Sequence, residues 1–480
     1  MSIQRNTITG TLWNVSRTLI VSIVEFIVYA ILARELSVEE FALLAFSLLV
    51  VEFANMLTTV GVNQNLIQRD KWEQPYFRSV FTFIFLLAFI VSSILAGAGG
   101  TLSYLYYSRE ASLVILSLSL LPLFMALQSV YSAKLERDFL NKEITAVRTL
   151  TSIFFGLLTI ILVLNSFGIW SIVISKILQH GVTLLIFMWR SKLPVKLGIN
   201  SLHVKEIKDF CLPLFGIALL NFFQSKGSNL LVGAVLGSDK FAFISVSKKG
   251  YDILGQLTIT SVNRMIVPSL SRVNLDNRVN RLYDIVYFSS LVVTPCYFGL
   301  GAVSEEFITV AFGEKYSASA IYLTISTAAI SGAIMAWYLP NLLISGGYTA
   351  SALKLKVVGF VRTLAISAVT VWFGVEVMLT SLTITTYLLL PVSFSITSKH
   401  FDISLIKMLK VNLPAIVSSM VMIVSIFIAK QFAVNDLEPI FRLAVLVCLG
   451  VITYILTLMI FFNRDVKQVF KIAKSLRKSA

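Results

Sequence analysis

Lys248, Lys249 and Asp252 stand inside an otherwise largely apolar stretch, 240–263. At 100° per residue, Ser245, Lys248, Lys249, Asp252, Gln256 and Asn263 fall within about 100° of arc on one helix face. Two ammonium groups on a polar wall suit the capture of an anion. A self-neutralising Lys248–Asp252 pair at i, i+4 is the structural alternative, and the stripe is longer than one pair needs. Three more apolar stretches carry polar stripes. Asn14, Arg17, Thr18, Ser22 and Glu25 share a face of 9–33, Glu52, Asn55 and Thr59 a face of 40–62, and Asn221, Gln224, Ser225 and Ser228 a face of 209–236. Lys226 points away from that last face, to a break near Gly227 or to a carboxylate on a neighbour. Lys176 with His180, and Arg362, are further cationic candidates, although a structural role fits Lys176 and His180 equally. Arg442 opens the last apolar stretch and is expected to snorkel to the outer interface. His203 and His400 fall in loops with no expected role.

The chemistry follows from charge. An ionisable side chain within a membrane span costs about 2.5–3.5 kcal/mol, so each is expected to face a cavity or a partner. A phosphate-type anion leaving water needs charge-assisted donors, and Lys as a point charge and Arg as a fork both supply them. An inside-negative potential pushes anions outward by ~2.3 kcal/mol per charge per 100 mV. Glu25, Glu52 and Asp252 are then candidate proton or Na+ sites for coupled return.

These residues are positioned by apolar segments long enough to cross a bilayer, which takes ~20 residues. Fourteen such segments are expected, at 9–33, 40–62, 79–100, 111–132, 146–165, 168–189, 209–236, 240–263, 283–308, 317–345, 351–375, 378–397, 411–430 and 439–463. Composition agrees: 57% of the 480 residues are hydrophobic and 14% charged, against roughly 25% charged in a soluble domain. Of the 40 Lys and Arg residues, most fall in alternate loops and tails on one face and few in loops of the other. The basic loops, 64–78, 133–148, 190–208, 264–282 and 398–410, mark the cytoplasmic side, with both termini on it. The net charge of +15 therefore suits an anionic inner leaflet and not nucleic acid. The outer loops, such as 165–168 and 237–240, are too short to hold a domain. The first segment is too long for a cleaved signal and is expected to be retained.

Two basic stretches have the pattern of helices lying on the cytoplasmic leaflet. One interleaves Leu202, Val204, Ile207 and Phe210 with Lys205 and Lys208. The other, after the last segment, sets Val466, Val469, Phe470, Ala473 and Leu476 among Lys467, Lys471, Lys474, Arg477 and Lys478. Leu36-Ser37-Val38-Glu39-Glu40-Phe41-Ala42 is echoed 200 residues on by Leu236-Gly237-Ser238-Asp239-Lys240-Phe241-Ala242, and Ser47 by Ser247. A parallel repeat is expected: an N-terminal lobe 1–200 of six spans, a second lobe 201–400 of six, and a C-terminal part 401–480 with two spans and a basic tail. Two such halves usually enclose a central cavity.

The run Thr9-Gly10 with Trp13, Leu32-Ala33-Arg34-Glu35-Leu36-Ser37-Val38-Glu39-Glu40-Phe41, Asn55 through Gly61, and Leu66-Ile67-Gln68-Arg69 resembles the N-terminal signature of bacterial polysaccharide transporters. These are the Wzx-type branch of the multidrug/oligosaccharidyl-lipid/polysaccharide exporter superfamily. The family pattern often has Pro at Val38 and Gly at Ala42, departures that touch a turn. The resemblance implies an all-α polytopic membrane protein of about fourteen transmembrane helices. It implies a flippase for undecaprenyl-diphosphate-linked oligosaccharide units, moved from the cytoplasmic to the periplasmic leaflet of the inner membrane. The first, second, seventh and eighth spans would line the cavity. The bilayer, and possible contact with a polysaccharide polymerase and a chain-length regulator, complete the expected partners.

No P-loop, His-Glu-x-x-His or nucleophile-elbow motif occurs, and Cys211, Cys296 and Cys448 have neither metal-ligand nor disulfide spacing. No cofactor, metal or catalytic residue is expected. Three alternatives stay open: a cation-coupled multidrug exporter of the same superfamily, a peptidoglycan-precursor flippase, and a membrane polysaccharide polymerase. Twelve spans and a cavity for organic cations would mark the first, and a large outer loop the last.

Overall fold

The computed structural model describes residues 20–69, 73–101, 104, 108–193, 197–258, 275–432 and 437–462, with the backbone alone at 275–276. The described chain is helical throughout. Its contacts divide it into two compact units, one of Leu12–Ser225 and one running from Lys226.

The first unit holds α1 (20–35), α2 (Val38–Thr59), α3 (Val62–Gln68), α4 (Gln74–Ile94), α5 (Arg109–Leu118), α6 (Leu120–Arg137), α7 (Asn141–Leu164), α8 (Trp170–Ser191) and the start of α9 (Ser201–Leu236). The turn into α2 is a capping box. Ser37 N donates to Glu40 Oε2 at 2.8 Å and Glu40 N to Ser37 Oγ at 3.1 Å, satisfying two donors that the helix start leaves open. This is the physical content of Ser37 and Glu40 in the signature. Between α2 and α3 the chain bends at Gly61, at φ +80°. A Cβ there would lie 2.9 Å from Cys211 Sγ, so both backbone conformation and space require glycine. Helix α6 is the axis of the unit, packed on α2, α3, α4 and α8, while α7 closes on α8. Phe77, Phe81, Tyr131 and Phe187 fill the core between them.

Helix α7 shows which solvent this bundle is built for. Leu150, Phe154, Leu157, Ile161 and Leu164 form one exposed apolar stripe, while Thr151, Ser152 and Thr159 are buried on the other side. A soluble helix presents the reverse. An apolar outer face with polar groups turned inward fits a hydrocarbon surround.

The second unit comprises α10 (Ser238–Leu257), α11 (Leu275–Ala302), α12 (Ser304–Phe312), α13 (Ser319–Ala328), α14 (Ile330–Trp337), α15 (Leu339–Ser345), α16 (Thr349–Thr370), α17 (Val375–Leu388), α18 (Leu390–Ser398), α19 (Leu405–Phe432) and α20 (Pro439–Phe461). Helix α11 packs on α13 and α19, and α19 on α20. Tyr297, Tyr338, Leu342 and Met408 are fully buried there. The second copy of the repeated motif opens α10, as the first opens α2. Phe41 and Phe241, Ala42 and Ala242, and Ser47 and Ser247 are all buried, although Gly237 gives no side-chain cap where Ser37 does.

Among the described residues, ten helices are long and apolar enough to cross a membrane, or eleven if the bent pair Ser319–Ala328 and Ile330–Ser345 counts as one span. The other expected segments coincide with 20–35, whose beginning lies outside the described residues, and with α9 and α10. Lys205, Glu206, Lys208, Asp209 and Lys226 burden α9, and Asp239, Lys240, Lys248, Lys249 and Asp252 burden α10. The stretch expected to lie on the leaflet is the first part of α9. There Ile207 is buried, Glu206 pairs with Arg69, and His203 Nδ1 lies 3.1 Å from Ser79 Oγ. The basic tail 466–478 lies outside the described residues.

Candidate functional site

A polar cavity of about 430 Å³ opens within the first unit. Each helix contributes residues at helical spacing, so the lining follows from local periodicity. Helix α6 offers Met125, Gln128, Ser129 and Ser132; α7 offers Arg148, Thr151 and Ser152; α8 offers Gln179, His180 and Thr183. Val21 and Glu25 come from α1, and Asn55 and Thr59 from α2. Asn63 joins them from α3, after the bend at Gly61.

The walls are cross-linked. Gln128 Nε2 donates to the His180 carbonyl at 2.6 Å and lies 3.4 Å from His180 Nδ1, tying α6 to α8. Thr183 Oγ1 and Thr151 Oγ1 are 3.1 Å apart, tying α8 to α7. Asn63 Nδ2 donates to Glu136 Oε1 at 3.0 Å. The guanidinium of Arg148 lies over the Phe187 ring, 5.7 Å from its centroid. Asn55 Oδ1, Asn63 Oδ1 and Ser129 Oγ are buried without a hydrogen-bond partner. Buried polar atoms are seldom left so, and these three lie behind the cavity surface, almost without accessible area.

The sequence candidates are distributed as follows. Glu25 lines this cavity. Lys176 stands beside it, its Nζ 3.4 Å from Gln179 Oε1. Glu52 is exposed on α2. Arg17 lies outside the described residues. In the second unit, Lys226, Lys248, Lys249 and Asp252 are each half-buried. Arg362 Nη1 donates to Thr386 Oγ1 at 2.6 Å, fastening α16 to α17. Arg442, expected to snorkel, pairs with buried Glu306 at 3.1 Å. His400 is likewise engaged, 2.8 Å from Ser351 Oγ and stacked on Tyr348.

Sequence reasoning missed Arg148, Gln128 and Asn63. Arg148 falls where the basic loop 133–148 overlaps the expected segment 146–165, and it belongs to α7. The signal is present: Arg148, Thr151 and Ser152 repeat at i, i+3 and i+4, as do Met125, Gln128 and Ser129, with Ser132 at i+7.

The family comparison matches residues 31–321, well over half of the chain, to the family described as "Polysaccharide biosynthesis protein". The chain belongs to that family. Among curated members of comparable sequence, the succinoglycan biosynthesis transport protein ExoT of Rhizobium meliloti (strain 1021) is 25% identical over 61% of this chain and 60% of its own length. The teichuronic acid biosynthesis protein TuaB of Bacillus subtilis (strain 168) is 22% identical over 71% of each. The chain thus spans less than two thirds of ExoT. Among solved structures, the lipid II flippase MurJ in an inward closed conformation shares the fold with a TM-score of 0.76 at 14% identity, over 95% of this chain and 100% of that one. A multidrug resistance MATE transporter of the MOP superfamily follows at 0.61 and 13%, over 79% and 94%. This member of the polysaccharide biosynthesis family is a multi-pass integral membrane protein with the MOP-superfamily fold.

Proposed function

We propose that this protein flips undecaprenyl-diphosphate-linked oligosaccharide units from the cytoplasmic to the periplasmic leaflet of the bacterial inner membrane, by alternating access. The observation that carries this reading is the cavity of the first unit. It sets a guanidinium, an imidazole, a carboxylate and several amides and hydroxyls within helices apolar on the outside, in a member of a polysaccharide biosynthesis family. Such groups repay the cost of burial when a hydrated polar cargo passes between them. The names of ExoT and TuaB, both tied to the making of an exported glycan, support the same class of cargo. The likeness to a lipid II flippase is one of fold, whereas the family match is to polysaccharide biosynthesis, which favours the glycan-unit reading over the peptidoglycan precursor.

In this proposal the chain has fourteen spans in two six-helix lobes, 1–200 and 201–400, with two spans and a basic tail in 401–480. Both termini face the cytoplasm. Arg17, Lys226, Lys248, Lys249, Lys176 and Arg362 supply cationic donors for the diphosphate or an acidic sugar. Glu25, Glu52 and Asp252 serve as proton or Na+ sites for the return step. A polysaccharide polymerase and a chain-length regulator receive the flipped unit.

The test is flipping of a defined undecaprenyl-diphosphate oligosaccharide in proteoliposomes, with and without an imposed potential. The intact protein is compared with Lys248→Ala/Lys249→Ala. Loss of transport in the variant supports the reading and its anion site. Transport by the intact protein that ignores the substitutions keeps the flippase and moves the site. No transport of several glycan heads by folded protein sinks the proposal.

A further inference from the structure

We propose that the cavity of the first unit is a saccharide subsite that takes an uncharged, polyhydroxylated sugar residue of the cargo, apart from the side chains that hold its diphosphate. This deepens the flippase reading above and rests on it. Charge balance comes first. Arg148 lines the cavity and Lys176 stands beside Gln179, but Glu25 also lines it, and Glu136, bound to the Asn63 amide, lies close enough to act electrostatically on Arg148. Among the described residues, Arg148 and Glu25 thus balance in the lining itself, with Lys176 and Glu136 beside it. An anion meets Glu25 as well as Arg148, and a cation meets the reverse, so neither gains much Coulomb energy. A neutral ligand is not penalised.

Hydrogen-bonding capacity comes second. The wall mixes donors and acceptors, with Asn55, Gln128, Ser129, Thr151, Gln179 and Thr183 among its lining. A phosphate only accepts and a metal ion only takes acceptors, so each would leave half of such a wall unmet. A sugar hydroxyl donates and accepts through one group, which matches a wall of amides, hydroxyls and one guanidinium. Size comes third. About 430 Å³ falls within the roughly 300–1,000 Å³ of small-ligand pockets, and Val21 and Met125 supply apolar contact for a ring face.

The experiment uses the full chain in proteoliposomes, with Cys211, Cys296 and Cys448 replaced by Ser and a reporter thiol at Val21→Cys or, separately, Met125→Cys. The rate of thiol modification by a small methanethiosulfonate reagent is measured with lactose, glucuronate or inorganic phosphate at equal ionic strength. Flipping of an undecaprenyl-diphosphate oligosaccharide is measured on the same vesicles. Lactose is expected to slow modification several-fold at both reporters, glucuronate and phosphate are not, and Thr183→Val is expected to weaken the lactose effect. The thermal unfolding midpoint of the unsubstituted protein should rise with lactose alone, since a ligand of the native state stabilises it. Protection by phosphate or glucuronate equal to that by lactose overturns the proposal in favour of an anion site. Intact flipping with no protection and no thermal shift from any of the three overturns the subsite and leaves the flippase standing. Protection by lactose without flipping of any glycan upholds a saccharide site and sinks the flippase reading instead.

Discussion

Glu306 and Arg442 meet at 3.1 Å, and Lys430 reaches the same carboxylate at 2.7 Å. One buried acid at the start of α12 thereby joins α19 and α20, the two helices that follow the repeat expected from the sequence. The Glu306 side chain is 4% exposed, so these two partners take the place of water around it.

Removing that carboxylate leaves two cations without their partner, and removing the cations strands a buried carboxylate. Breaking a buried pair costs about 3–5 kcal/mol, and the lower end applies here because Lys430 and Arg442 keep some solvent. Glu306→Ala should therefore lower the thermal unfolding midpoint in detergent markedly. Glu305→Ala should shift it hardly at all, since Glu305 is largely exposed and 4.0 Å from Lys430. Equal shifts would show that Glu306 is not the anchor.

Gly61→Ala places a methyl group against Cys211 Sγ in a left-handed backbone conformation. The strain costs of order 1–3 kcal/mol. Adding Cys211→Ala should recover only part of this, because it frees the space and leaves φ unchanged. Unfolding midpoints of the two singles and the double settle it, and full recovery would mean that backbone strain is negligible.

Ser37→Ala removes one half of the capping box at the start of α2. A loss of about 1 kcal/mol is expected. Gly237→Ser at the corresponding turn is not expected to restore such a cap, because Gly237 has φ +88° and the box needs extended backbone there. Comparing the unfolding midpoints of the two variants checks both statements.

Arg148→Gln should reduce flipping while leaving α7 intact, since the residue presents its charge to the cavity and its neighbours Thr151 and Ser152 keep their places. Arg148→Lys should rescue only partly, because a point charge does not replace the fork. Transport rates at matched protein content in the vesicles, with circular dichroism as the control for folding, decide the matter. Unchanged transport in Arg148→Gln would remove Arg148 from the site.

Gln128→Leu cuts the bond from α6 to the His180 carbonyl. A buried hydrogen bond contributes about 1 kcal/mol, and the unmet carbonyl adds to the loss. Thr183→Val should cost less, because Thr151 Oγ1 keeps its bond to the Val147 carbonyl. Midpoints in the opposite order would show that the α6–α8 link is not a principal tie.

The sequence by itself determined a helical membrane protein, because apolar runs of bilayer length satisfy their backbone only as helices. It also determined the family, through the residues around Ser37, Glu40 and Gly61, whose roles are local: a cap, a bend and a tight approach. Glu25, a lining residue of the cavity, was legible from periodicity alone. Only the tertiary structure decided which polar faces meet. Arg148 reads as the basic edge of a segment until α7 packs on α8 and turns it to the cavity with Thr151 and Ser152. Arg442 reads as an interfacial anchor until α20 comes beside α12 and brings it to Glu306. The difference is physical: periodicity fixes which side chains share a face, but the partner across that face comes from a helix tens or hundreds of residues away. Burial makes such a partner decisive, since a charge out of water is bound by whatever lies within a few ångströms of it.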